Sequence, residues 1–206
     1  GKEVKPSTLT VGQRIQLVSE TDELVEYDVN GDLAWLFGLF IAEGTCGCYQ
    51  YSHSRKYSWS ISNLDIALLL KAKQVLSNCL GLDSSIIDVR RSSATYRLIP
   101  RGNHSLFVKY FREMCYRRDH KAIPRSIIYG GKGVQKSFLD GLISGDGYID
   151  KKNIVDINQK HKTVMAGIIR ILKHLGIDYS LGIRKDKPNI IRIRFTFTPR
   201  PRGVYR

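Results

Sequence analysis

Two stretches decide the fold: Trp35-Leu36-Phe37-Gly38-Leu39-Phe40-Ile41-Ala42-Glu43-Gly44 and Phe138-Leu139-Asp140-Gly141-Leu142-Ile143-Ser144-Gly145-Asp146-Gly147. They share one offset of 103, which pairs Gly38 with Gly141, Glu43 with Asp146 and Gly44 with Gly147. Further along, Ser62-Asn63-Leu64-Asp65 matches Asn158-Gln159-Lys160-His161 at 96. Leu80-Gly81-Leu82-Asp83-Ser84-Ser85-Ile86 then matches Leu175-Gly176-Ile177-Asp178-Tyr179-Ser180-Leu181 at 95. Three collinear matches at a nearly constant offset describe a duplicated half.

Each half reads the same way. An apolar helix (31–43, 134–145) ends at an acid followed by glycine, which suits a helix C-terminus. Two strands follow, at 48–52 and 56–62, then at 147–151 and 154–158. Alternation in Tyr57-Ser58-Trp59-Ser60-Ile61 and Ile154-Val155-Asp156-Ile157 supports the second of each pair. A helix (64–79, 161–174) closes at Gly81 or Gly176, and two more strands come next (85–90 and 94–99, 179–184 and 190–198). The first half adds a helix at 104–117. The fold class is α+β: two pseudo-symmetric αββαββ(α) halves packed through their first helices, each with a four-stranded antiparallel sheet. The expected division is an arm at 1–30, a first half at 31–118, a linker at 119–133 marked by Pro124 and Gly130-Gly131-Lys132-Gly133, and a second half at 134–206.

The chain has 206 residues, 42% hydrophobic and 25% charged, a globular profile that argues against disorder. Its net charge is +14, which predicts a polyanionic partner, nucleic acid first. The arm opposes this trend, with three basic residues against six acids, so the remainder carries +17. Within the arm, Thr8 to Val18 reads as short strands turning at Gly12. The longest apolar run, Leu33 to Ala42, is half the length a membrane span needs, and the N-terminus has no hydrophobic signal core. Cys46, Cys48, Cys79 and Cys115 form no C-x-x-C pair, and read as free thiols of an intracellular protein rather than as a zinc site.

Gly38 and Ala42 lie four apart on one helix, and Gly141 and Gly145 on the other. Small residues at that spacing let two helix backbones approach closely. Packing along this face brings Glu43 and Asp146 side by side at one end. Two carboxylates at the negative ends of two helix dipoles repel one another unless a cation lies between them. Hard oxygen donors select Mg²⁺ or Mn²⁺. Either acid alone reads as a solvated helix end; their recurrence at equivalent repeat positions argues for a site.

The two motifs, the strand-strand-helix spacing after each, and Lys121-Ala122-Ile123-Pro124 resemble the LAGLIDADG homing endonucleases in their single-chain, two-motif form. The Lys-x-Ile-Pro element resembles endonuclease domains embedded in inteins, and the arm through Val11-Gly12 resembles the end of an intein splicing half. The resemblance covers 31 to 198. It implies a monomer with internal pseudo-twofold symmetry that hydrolyses both strands of double-stranded DNA. The cut crosses the minor groove of a long recognition site and leaves short 3′ overhangs. By the same resemblance, Glu43 and Asp146 match the metal-binding acids, with the carbonyls of Ala42 and Gly145 as further ligands. Lys121 resembles a basic residue near the scissile phosphate, whose bland reading is a surface lysine. Gln159 and its repeat partner Asn63 resemble a polar residue that orients water or metal; a helix N-cap is the plain reading of Asn63. Mg²⁺ is the implied cofactor, with Mn²⁺ as substitute and Ca²⁺ supporting binding without cleavage.

A second lysine as far beyond Asp146 as Lys121 lies beyond Glu43 would fall past residue 206. Lys185, Lys187, Arg200 and Arg202 are the candidate substitutes, and unequal cutting of the two strands is the alternative. The resemblance makes the sheets a DNA-binding saddle. In the first half the expected outward contacts are Tyr49, Tyr51, Arg55, Tyr57, Arg90, Tyr96, Arg97 and Arg101. In the second they are Lys151, Lys152, Asn153, Arg184, Lys185, Lys187, Arg192 and Arg194. Singly each is a solvated side chain; together they predict an extended phosphate footprint with steep salt dependence. Two readings compete on the same fold, an RNA-binding intron maturase and a non-catalytic DNA-binding regulator. An unrelated sheet-based RNA-binding module is a third.

Overall fold

The computed structural model describes residues 29–52 and 54–197, so the expected strands of the arm lie outside the described residues. Helix α1 (Gly31–Glu43) starts at Asn30, whose side-chain oxygen accepts from Leu33 N at 2.8 Å. Every residue from Leu33 to Ile41 is buried, so the helix is the centre of the molecule rather than an amphipathic cover. It packs against α6 (Lys132–Asp146). The glycines explain how closely. A Cβ on Gly38 would lie 2.1 Å from Phe138 O, and one on Gly141 would lie 1.9 Å from Trp35 O. The two backbones touch, and the carboxyl ends of both helices emerge together.

Directly after α1 come β1 (Gly44–Gln50) and β2 (Arg55–Asn63), then α2 (Ile66–Leu80), β3 (Ser84–Asp88), a single turn α3 (Arg90–Ser93) and β4 (Tyr96–Pro100). The sheet order is β1-β2-β4-β3, all antiparallel. Helix α4 (Ser105–Cys115) covers the inner face of β1 and β2. After α6, strands β7 (Gly147–Ile149) and β8 (Val155–Gln159), helix α7 (Lys162–Leu175), and strands β9 (Tyr179–Ile183) and β10 (Ile191–Phe195) repeat the order β7-β8-β10-β9. Helix α4 stops at Cys115, and the last residues expected in it form β5 (Tyr116–Arg117); the stretch expected as plain linker folds into β6 (His120–Lys121) and a single turn α5 (Arg125–Ile128).

Helices α2 and α7 stop as expected, on Gly81 (φ 60) and Gly176 (φ 71) in the left-handed region that glycine adopts freely. Gly44 and Gly147 end α1 and α6 for a different reason. Both have extended backbone that any residue can adopt. Their requirement is space: a Cβ would meet the Phe40 ring at 2.1 Å and the Ile143 Cα at 2.7 Å. Each helix therefore turns into its first strand without a loop, which fixes the acid at the junction.

Candidate active site

Glu43 is the last residue of α1 and Asp146 the last of α6. A Cβ on Gly145 would lie 2.5 Å from the Ala42 Cβ and 3.0 Å from the Glu43 Cγ, so the two helix ends are in contact. Loss of hydration raises the Glu43 carboxyl above its ordinary range, and the nearby charge of Asp146 raises it further. Partial burial raises Asp146 as well, and Lys121 opposes the rise on both.

Lys121 is brought in by the β5–β6 hairpin, where it pairs with Tyr116. Its ammonium donates to Phe40 O at 3.2 Å and Ile41 O at 2.8 Å, at the negative end of α1. Burial depresses its pKa, while Asp146 and Glu43 pull the other way. It is no free surface lysine. The backbone of the same residue accepts from Thr163 Oγ1 at 2.6 Å, which ties the hairpin to α7.

Asn63 closes β2 and donates to Glu43 Oε1 at 3.3 Å. The helix cap beside it is Asp65, which accepts from Ala67 N and Leu68 N, so Asn63 faces the acid rather than capping α2. Gln159, buried at the end of β8, lines the same cleft of about 550 Å³ as Glu43, Asp146, Ala42 and Lys121. Sequence reasoning missed Lys160, which lines it too. The signal was available: Lys160 is the repeat counterpart of Leu64, so a cation stands where the first half has an apolar residue. Of the expected second-half cations, Lys185 and Lys187 sit exposed in the β9–β10 turn, away from the cleft. Arg200 and Arg202 lie outside the described residues.

The two carboxylates fit a divalent cation by their chemistry. They are hard oxygen donors whose mutual repulsion a 2+ charge would reverse. Among the described residues no cluster of three or more His, Cys, Asp or Glu side chains accompanies them, so waters and substrate oxygens would complete the shell.

The outer faces of the two sheets differ from the expectation in detail. Trp59, Ile61 and Leu98 face the helices, and Tyr57 and Tyr96 share their parity and pack against the core. These two tyrosines were expected outward; the alternation that buries Trp59 turns them in. Arg55 has that parity as well, and its Nε donates to Gln50 Oε1 at the end of the hairpin. The outer face of this sheet carries Thr45, Tyr49, Ser58, Ser60, Ser62 and Arg97. Tyr51 is exposed just beyond β1, and Arg101 is exposed just beyond β4 and paired with Asp83. Arg90 lies at the α3 corner, over the Tyr96 ring and paired with Asp88. In the second half, Lys151, Lys152 and Asn153 form the exposed β7–β8 turn. Arg184 pairs with Asp186 in the β9–β10 turn, while Arg192 and Arg194 stand on the outer face of β10.

Comparison with known proteins finds the same fold elsewhere. The homing endonuclease family model matches residues 122–198. The DNA polymerase of Acanthamoeba polyphaga mimivirus is 28% identical over 197 residues, covering 94% of this chain and 11% of that protein. The replication factor C small subunit of Methanocaldococcus jannaschii is 24% identical over 187 residues, covering 87% of this chain and 10% of that protein. The chain thus spans about a tenth of these curated relatives. The homing endonuclease I-DmoI, solved in complex with DNA and Mn, superposes with a TM-score of 0.62 at 21% identity, covering 81% of this chain and 89% of that one.

Proposed function

We propose that this chain, built on the two-motif LAGLIDADG homing-endonuclease fold, is a site-specific DNA endonuclease that uses a divalent metal ion, Mg²⁺ first. One observation carries the reading. Backbone-to-backbone packing of α1 and α6 holds Glu43 and Asp146 together, with Lys121 beside both, between two sheets whose outer faces carry cations. Neither a structural helix pair nor a binding saddle requires two carboxylates in repulsion.

In this reading Glu43 and Asp146, with the carbonyls of Ala42 and Gly145, would hold the cation. When bound, Mg²⁺ supplies a water of lowered pKa and stabilises charge on the leaving oxygen. Asn63 holds Glu43 in place, and Gln159 from the pseudo-symmetric strand end orients water on the other strand. Lys121, partly dehydrated at the end of α1, stabilises the pentacovalent phosphate, and Lys160 does so across the cleft. The cut crosses the minor groove at the helix ends and leaves short 3′ overhangs, while the sheets follow the major groove on either side. The chain acts as a monomer because both halves of the site come from one polypeptide. A shared stretch within a DNA polymerase and a replication factor subunit supports an insert-borne domain of the intein type, with residues 1–30 as an arm from that context.

The test is cleavage of a supercoiled plasmid carrying the uninterrupted junction of the gene that harbours the domain, in Mg²⁺. The native chain should give linear product and Asp146→Asn none, with DNA binding retained. Tight binding without cutting, in Mg²⁺ and Mn²⁺ alike, would instead favour the maturase or the regulator.

A further inference from the structure

The outer face of the second sheet carries a cluster the first sheet lacks. Asp156 sits on β8, opposite Arg194 of β10, with Arg192 on the same face two residues earlier. Its carboxylate is largely covered although it faces away from the helices. Oδ2 meets the Nε of Arg192 at 3.2 Å and the Nε of Arg194 at 3.5 Å, and Asn158 donates to Oδ1 at 3.3 Å. Arg194 has a second, looser acid near its Nη2, Asp150 at 4.0 Å. One carboxylate therefore grips two guanidinium groups from the side, while both arginine side chains remain nearly half exposed.

A side-on grip has a chemical consequence. A guanidinium held through Nε keeps its two terminal nitrogens as a forward-facing pair, the geometry that donates in parallel to guanine O6 and N7. Phosphate contact needs no such aim, since a mobile arginine reaches a phosphate oxygen from many directions. An acid on a face that approaches DNA also opposes non-specific binding, so its presence points to orientation rather than attraction. The first sheet offers no equivalent: its outer face is mostly hydroxyl-bearing, with Arg97 donating to Ser62 Oγ at 3.3 Å.

Building on the proposed DNA substrate, we propose that Arg192 and Arg194 read guanines in the major groove of the second half-site, with Asp156 as the residue that positions both. Because Asn158 lines the catalytic cleft and Arg192 pairs with it, Arg192 reads nearer the cut and Arg194 further out.

The experiment is selection from a randomised duplex DNA library by the full chain in Ca²⁺, followed by sequencing and by cleavage of the enriched duplexes in Mg²⁺. The native chain should enrich guanine at two positions on one side of the centre, by about tenfold or more at each. Arg192→Gln should relax the inner position alone, and Asp156→Asn should relax both while affinity for unselected DNA holds or rises. A merely structural Asp156 would change affinity or folding and leave base preference as it was. Enrichment without guanine on that side, or a preference unmoved by Asp156→Asn, overturns the inference. Selected guanines with no cleavage would sink the nuclease reading and leave this one standing; no enrichment of any sequence would sink both.

Discussion

The two halves share a strand order yet are built of different material. The first buries a ring cluster in which Phe40 stacks on Trp59 at 5.5 Å and Phe111 packs edge-on to both, under α4. The second is mostly aliphatic, with Ile157, Ile168, Ile171 and Ile193 under α7 and Phe195 as the buried ring of its sheet. There the inner-face side chains Ile149, Leu181 and Ile183 are more than half exposed among the described residues. The seam, by contrast, is alike on both sides. Contact at 2 Å from a missing Cβ tolerates no divergence, whereas cores and outer faces drift as long as each fills its own volume. Symmetry is thus held where the two acids meet and released in the cores and on the outer faces of the sheets.

That contrast can be broken first at the acids. Glu43→Gln or Asp146→Asn should each lower plasmid linearisation by about a thousandfold or more, since either substitution disables a shared cation site. If one of them left cutting intact, the halves would not share a centre. Next comes the core. Phe111→Ala should destabilise the chain by about 3–5 kcal/mol, and Ile157→Val by about 1 kcal/mol, in urea titration. A loss below about 1 kcal/mol at Phe111 would show that the ring cluster does not hold the first half together. At the seam, Gly141→Ala should lose about 3 kcal/mol, whereas Gly133→Ala, with nothing within 4 Å of the added carbon, should be neutral.

Smaller effects sharpen the comparison. The lysines reach the cleft from different elements, Lys121 from the hairpin and Lys160 from the end of β8. Lys121→Met and Lys160→Met should therefore slow opposite strands, each by about a hundredfold. The native chain itself should accumulate nicked plasmid before linear product, and equal nicking rates for the two strands would refute the inequality. Last is pH. Both acids have raised pKa values in the folded state, so above their ordinary values of 3.8 and 4.5 the folded chain holds protons that the unfolded chain has lost. Metal-free stability should rise as pH falls through that window. Asp146→Asn should flatten the trend and raise the neutral-pH melting temperature by about 2 °C.

The sequence exposed the seam because glycine spacing and a repeated acid are local, one-dimensional signals. Both central helices and the expectation that Glu43 lies beside Asp146 follow from the offset of 103, and the later matches at 96 and 95 give the strands and helix after each; the spatial order of the strands does not. What escaped depends on three dimensions or on parity. Tyr57 and Tyr96 were counted outward by residue type, although alternation with Trp59 and Leu98 assigns them inward. Lys160 hid because comparison of the repeats rewards likeness, and its counterpart Leu64 differs. The hairpin that seats Lys121 is only two residues per strand, too short for a periodic pattern. The grip of Asp156 on two arginines spans strands far apart in sequence, and only the β8–β10 register reveals it.

Lys121 has one more consequence, for the connectivity of the chain. Its ammonium rests on the end of α1 and its carbonyl receives Thr163 from α7, so a single residue from the connecting stretch is clamped to both halves. The peptide bond between Gly130 and Gly131 lies downstream of that clamp. A chain severed there should stay together as two pieces, held by that clamp and by the α1–α6 seam, while one severed before His120 breaks the β5–β6 hairpin that seats the lysine.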